Sequence, residues 1–178
     1  MVTLTSRSSD LGAQIRRRGF DGLQVRFHRE EATAVRRALL VPEQLPGWIP
    51  AACAVVAEHL RHHGIAPNGF PFARWHSLPD GMVDAEAGFP VSAPIAGTDL
   101  IEPSTLPAGP VLAAWHTDPD QKLSDTYQLL DEWLETGNAT RTGDSWEVYH
   151  DLPACEDLGT RIELVQPITF ANSSHDGR

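Results

Sequence analysis

Two strand-like runs and two amphipathic helices alternate in the apolar pattern of the chain. The strand-like runs, 33–41 and 110–117, are each followed closely by a proline. Helical spacing then relates the apolar positions of each half, which are Ile49, Cys53, Val56 and Leu60 in the first and Leu123, Tyr127, Leu130 and Leu134 in the second. Glycines at positions 64 and 137 are expected to end these helices.

An internal repeat relates the two halves. Residues 72–79 align with residues 146–153 at an offset of 146 − 72 = 74, and the same offset carried backwards superimposes the two helical stripes. Two further strands follow each helix, at 71–76 and 83–91 in the first half and at 145–150 and 160–168 in the second. We therefore predict an α+β fold of two pseudo-symmetric β-α-β-β units (tandem SHS2-like modules) with antiparallel sheets, joined by a crossover at 92–109.

The same repeat sets the expected domain boundaries. Residues 1–21 are interpreted as a flexible N-terminal leader and residues 171–178 as a C-terminal tail. The segment between them, 22–170, is predicted to be one domain with halves at 22–91 and 110–170, because either unit alone offers too small a core.

Composition narrows the class of protein. The 178 residues include 24 acidic and 14 basic side chains, a formal charge of −10, which opposes direct nucleic-acid binding. No apolar run approaches the roughly 20 residues of a membrane span, and the N-terminus has no secretory signal. We therefore expect a cytoplasmic protein that contacts neither nucleic acid nor membrane. Its two cysteines form neither a disulfide framework nor a zinc motif.

Four sequence blocks resemble the GyrI-like (SOUL/AraC-type) effector-binding domain family. They are FARWH at 72–76, DAEAGFPV at 84–91, LPAGPV at 106–111 and WEVY at 146–149. The resemblance implies a cleft between the halves that binds small organic molecules, often lipophilic cations. With about 21 residues before the domain, too few for a helix-turn-helix, it is similar to the stand-alone type. One departure is HTDP at 116–119, where relatives often carry His-x-Gly-Pro and an aromatic residue.

Strand alternation predicts which side chains face the cleft. Trp146 is the repeat partner of another large apolar residue, so its face is assigned to the helix-packed core. Glu147 and Tyr149 then point away from the helix towards the cleft, with Ala73 and Trp75 as their repeat partners. One carboxylate between aromatic walls, with a small residue opposite, suits a flat organic cation.

Two further residues are candidates for ligand binding. Trp115 lies at the end of a strand, where the pattern leaves core and pocket equally open. Glu86 alternates with alanines and could face the cleft, although its counterpart Glu163 favours a plain solvated position for both.

Metal, cofactor and nucleophile chemistry is not expected. His59, His62 and His63 have the spacing of metal ligands on a helix, but His59 takes the place of a core-flanking tryptophan and no complete ligand set lies nearby. Cys53 belongs to the helical stripe, and Cys155 has no base beside it.

Three functions remain. The first is a binding protein for hydrophobic or cationic polycyclic small molecules. The second, drawn from the resemblance, is a hydrolase of strained, cyclopropane-bearing natural products, in which Glu147 orients water and Tyr149 donates a proton. The third, inhibition of a protein partner such as gyrase, is less favoured because the sequence identifies no interaction surface.

Overall fold

The protein is described from a computed structural model, which covers residues 22–118, 120–136, 139–151 and 161–170. The proposed leader and tail, Cys155 and the glycine at 137 lie outside the described residues. The elements in chain order are β1 (Leu23–His28), β2 (Glu31–Leu40), a 3₁₀ turn (Pro42–Gln44), α1 (Leu45–His62), β3 (Phe72–Ser77), β4 (Val83–Pro90), β5 (Glu102–Leu106), β6 (Gly109–His116), α2 (Leu123–Thr136), β7 (Ala139–Arg141), β8 (Trp146–Tyr149) and β9 (Ile162–Phe170).

The predicted α+β architecture of two β-α-β-β units is confirmed. The units are β2-α1-β3-β4 and β6-α2-β8-β9, joined into one antiparallel sheet of order β1-β6-β9-β8-β3-β4-β2-β5, with β7 also paired to β9. Strands β1, β5 and β7 were not predicted. The sequence of β1, LQVRFH, alternates apolar and polar residues, which is the signal that could have found it. Strand β5 contains Pro103, a residue that sheets accept at their edges.

Short connections force this sheet to curl strongly. Strands β1 and β2 are six strand spacings apart in the sheet order, roughly 29 Å if the sheet were flat. Only Arg29 and Glu30 join them, and three Cα steps span at most about 11 Å. The β5–β6 connection imposes the same constraint, and His28 Nδ1 lies 2.9 Å from the carbonyl oxygen of Pro107 where the two edges approach. One face of the sheet is therefore concave.

The predicted assignment of the two faces is wrong. Phe72 and Trp146 belong to a buried cluster on the concave face that contains no helical residue. Ala73 and Tyr149 instead belong to a cluster that includes buried side chains from both helices. The prediction failed because it equated large apolar side chains with helix packing, whereas the curled sheet buries its inner face as well.

The helices leave the middle of the sheet between them. Helix α1 packs on β2 and β4, and α2 packs mainly on β6, β7 and β9. Small side chains on β4, at Ala85 and Ala87, share the buried cluster with α1 and allow close packing. The central strands β3 and β8 therefore lie beneath the gap between the helices. Neither described helix is long and apolar enough to cross a membrane.

Candidate functional site

Glu147 lies on the pseudo-twofold axis of the domain. In the antiparallel pair of β3 and β8, Phe72 is opposite Val148, Ala73 opposite Glu147, and Arg74 opposite Trp146. The repeat offset equates the first and last of these pairs, so the axis passes between Ala73 and Glu147. The register thus confirms that the small residue faces the carboxylate. Trp75 and Tyr149 lie on the same face, on either side of that pair.

The Glu147 carboxylate is buried and held by two phenol groups. Its exposed fraction is 3%. The hydroxyl of Tyr149 donates to Oε2 and the hydroxyl of Tyr127 to Oε1, each at 2.7 Å. Burial raises the pKa of Glu147, and the two hydrogen bonds offset part of that rise. Burial also raises the pKa of both tyrosines, with the neighbouring carboxylate adding to it, so both phenols stay protonated donors.

Tyr127 is a site residue that the sequence analysis missed. It was placed in the apolar stripe of the second helix, and it does pack against the helix-face core from α2. A tyrosine on a buried stripe still needs a partner for its hydroxyl, and a glutamate on the facing strand supplies one. That requirement was the available signal. Because α2 faces Glu147, the carboxylate points towards the helices, opposite to the predicted direction.

Glu86 is buried at the opposite face of the sheet and does not join Glu147. Its carboxylate pairs with Arg37 Nη2 at 2.7 Å and Arg74 Nη2 at 2.5 Å, and accepts a hydrogen bond from Ser104. Its repeat counterpart Glu163 is also buried. The expectation of a solvated position is therefore wrong for both residues, because the concave face encloses them.

The guanidinium of Arg26 neutralises Glu163, with Arg26 Nη1 2.8 Å from Glu163 Oε1. His150 Nε2 lies 3.6 Å from the other oxygen, Glu163 Oε2. Buried carboxylates in the described part of the chain are thus of two kinds. Glu86 and Glu163 have arginine partners, whereas the contacts of Glu147 are tyrosine hydroxyls.

The two candidate tryptophans separate onto opposite faces. Trp75 is half-buried and packs against the cluster beneath the helices, which also contains Trp48 and Trp133. Trp115 lies on the other face, opposite Glu163, and is 38% exposed. Its ring neighbours His150, with centroids 4.6 Å apart, so Trp115 does not belong to the Glu147 site.

Cys53 lies in the helix-face core with Tyr149. Burial raises the pKa of its thiol to about 12, which keeps it protonated near neutral pH and unsuited to nucleophilic attack. Among the described residues, no group of three or more histidine, cysteine or acidic side chains could hold a metal ion.

These features define an α+β domain of two repeated units with a buried acidic group beside its internal axis. The family model of the GyrI-like small molecule binding domain matches residues 38–165, and the chain belongs to this family. No curated protein matches the sequence significantly.

Solved structures share the fold at low sequence identity. The C-terminal domain of EcmrR has a TM-score of 0.68 and 16% identity, with 84% of this chain and 98% of that chain covered. The EcmrR–DNA complex has a TM-score of 0.70 and 16% identity, covering 94% of this chain but 65% of that one, so the chain spans less than two thirds of that protein. SAV2435 bound to tetraphenylphosphonium has a TM-score of 0.57 and 10% identity, covering 86% and 97%.

Proposed function

We propose that this GyrI-like domain captures lipophilic organic cations, polycyclic ones among them, in the gap between its two helices, with Glu147 as the countercharge. The observation that carries the proposal is the contrast among the buried carboxylates. Glu86 and Glu163 are neutralised by arginines, while Glu147 is held by uncharged phenols alone among the described residues. A negative charge at Glu147 is therefore left for a ligand to neutralise.

The surroundings of Glu147 favour an apolar cation over an inorganic one. Trp48, Trp75 and the two tyrosines belong to the same helix-face cluster. Aromatic faces attract cations by about 0.5–2 kcal/mol each and also supply apolar contact area. A carboxylate about 4 Å from a unit charge adds about 4 kcal/mol at an effective dielectric constant of about 20, before desolvation is subtracted.

In the absence of ligand, hydrogen bonds stabilise the buried carboxylate of Glu147. The two hydroxyl donors satisfy both carboxylate oxygens, which limits the cost of burying an acid without a cation. Since Glu147 is almost fully enclosed, ligand entry requires side chains above it to move. Tyr127 belongs to α2 and Tyr149 to the sheet, so separating the helix from the sheet parts these two donors.

A titration with a fluorescent lipophilic cation tests the proposal. Rhodamine 6G is titrated into the wild-type protein, the Glu147→Gln variant and the matched control Glu135→Gln, which removes an exposed carboxylate from α2. We expect saturable binding that weakens by about tenfold to a thousandfold in Glu147→Gln, corresponding to about 1.4–4 kcal/mol, and stays unchanged in the control. Tetraphenylphosphonium is the competing ligand, and triphenylphosphine oxide is the neutral comparison.

If the folded wild-type and Glu147→Gln proteins bound the cation equally well, Glu147 would not be part of the binding site. If tetraphenylphosphonium and triphenylphosphine oxide bound with equal affinity, binding would not depend on the positive charge of the ligand. Mass analysis of a cyclopropane-bearing compound, recovered after incubation with the protein, separates a binder from an enzyme. An unchanged mass agrees with binding, whereas a product increased by one water would favour the hydrolase alternative, with Glu147 and Tyr149 as its catalytic pair.

A further inference from the structure

A cavity lies at the C-terminal end of α1, away from Glu147. Its volume is about 500 Å³, and it is lined by His59, His63, Ile65 and residues 92–98 of the crossover segment. A separate apolar cluster that includes Val56 and Leu60 supports this end of the helix. The cavity has the size of a small-molecule site, and its chemistry comes from two imidazole rings.

The two imidazoles are already paired. His59 lies in the last turn of α1, and His63, four residues later, is the residue directly after the helix end; their ring centroids are 4.2 Å apart and the ring planes are inclined by 32°. Histidines at this spacing lie on one face of a helix, as in metal sites built from an i, i+4 pair.

A hydrogen bond fixes which nitrogen of His63 is available. Its Nδ1 lies 2.8 Å from the backbone carbonyl oxygen of His59. A carbonyl oxygen only accepts hydrogen bonds, so Nδ1 carries the proton and Nε2 carries the lone pair of the neutral ring. This is the arrangement by which a backbone carbonyl orients a metal-binding histidine.

Charged side chains on the same turn contact one another rather than the two rings at the cavity. Glu58 contacts Arg61 at 2.6 Å and His62 at 3.0 Å. His62 is thus drawn into that exposed group, which separates it from the pair at the cavity.

We propose that His59 and His63 hold a divalent transition-metal ion at this cavity, through Nε2 of His63 and a ring nitrogen of His59. Imidazole ligands suit Cu²⁺, Ni²⁺ and Zn²⁺, with affinity greatest for Cu²⁺ in the usual order. Because the described residues supply only these two ligands, the remaining coordination positions open into the cavity and take water or a small donor molecule. This differs from the sequence-based expectation of no metal, which treated the three histidines as one group.

Metal titration of the full chain, freed of any histidine tag, tests the site. Calorimetry with CuCl₂, NiCl₂ and ZnCl₂ should give one site per chain, tightest for Cu²⁺. His59→Ala and His63→Ala should each weaken binding by at least about tenfold. The matched control His62→Ala, in the same turn but outside the cavity, should bind as the wild type does. The electron paramagnetic resonance spectrum of the Cu²⁺ complex should show coupling to two nitrogens, reduced to one in either cavity variant.

Three outcomes would overturn the proposal: no binding of Cu²⁺ tighter than millimolar, equal binding by the wild type and both cavity variants, or a loss confined to His62→Ala. Circular dichroism checks that each variant is folded. Rhodamine 6G binding is measured in parallel, because the two sites are separate. Loss of rhodamine 6G binding would contradict only the proposal for Glu147, and absence of metal binding would contradict only the proposal for the two histidines.

Discussion

The proposed function predicts that raising the pH strengthens the binding of a lipophilic cation, because Glu147 would have to ionise before it paired with the ligand. Burial raises the pKa of this carboxyl above its ordinary value of 4.5. Below the raised pKa the free protein carries a neutral carboxyl, so each cation that binds releases one proton. Above it the carboxyl is already ionised, and binding releases none.

The size of the effect follows from this proton count. Release of one proton per ligand changes the affinity by up to about tenfold per pH unit, about 1.4 kcal/mol, and the slope disappears above the raised pKa. Tyr127 and Tyr149 donate to the charged form and limit the rise, so removal of either hydroxyl should move the bend in the affinity profile to higher pH.

Calorimetry measures this linkage directly. Rhodamine 6G is titrated at several pH values in two buffers of different ionisation enthalpy, and the difference in apparent binding enthalpy gives the number of protons released. The wild type should release up to one proton at pH values below the bend, and Glu147→Gln should release none. A flat affinity profile in the wild type, or an equal slope in the variant, would refute the assignment of the titrating group.

Four further expectations concern folding and stability. Tyr149→Phe leaves one buried carboxylate oxygen of Glu147 without its donor, so the free energy of unfolding should fall by about 1–3 kcal/mol. Glu86→Gln leaves two partly exposed arginines beside a neutral amide, and the free energy of unfolding in urea should fall by about 1–3 kcal/mol. Gly88→Ala should prevent folding, because the added methyl would overlap backbone atoms of β2; a soluble, folded variant would contradict this. Finally, the raised pKa of Glu147 means that the folded state keeps a proton that the unfolded chain releases, so stability should fall as the pH rises from about 4.5 towards that pKa, and Glu147→Gln should remove this slope.

The internal repeat carried most of what the sequence could predict. An offset of 74 residues, found in the FARWH and WEVY blocks, was enough to place Ala73 opposite Glu147 and to derive both β-α-β-β units. A repeat of this kind constrains register because equivalent strands must pair across the axis that relates them. The repeat does not predict how strongly the sheet curves.

The orientation of the faces depended on curvature, which alternation does not encode. Both faces of β8 and of the first half of β3 are largely buried, so alternation of apolar and polar residues did not distinguish inside from outside. The partners of Glu86 are also non-local: Arg37 comes from β2 and Arg74 from β3. A buried ion pair formed by residues on different strands has no signature in the sequence of one strand. The pattern therefore offered only a cleft position or a solvated position for Glu86.

Covalent joining of the two units permits the internal axis to carry two different residues. In a dimer of identical chains, residues that face each other across the twofold axis are the same, so a glutamate there would meet a second glutamate about 5 Å away. Two buried acids at that distance cannot both ionise, and one would remain protonated. Within a single polypeptide, the two equivalent positions can hold different residues. Here Ala73 and Glu147 occupy them, and only Glu147 can carry a charge. Duplication followed by divergence thus provides a monovalent acid, which can balance one positive charge and no more.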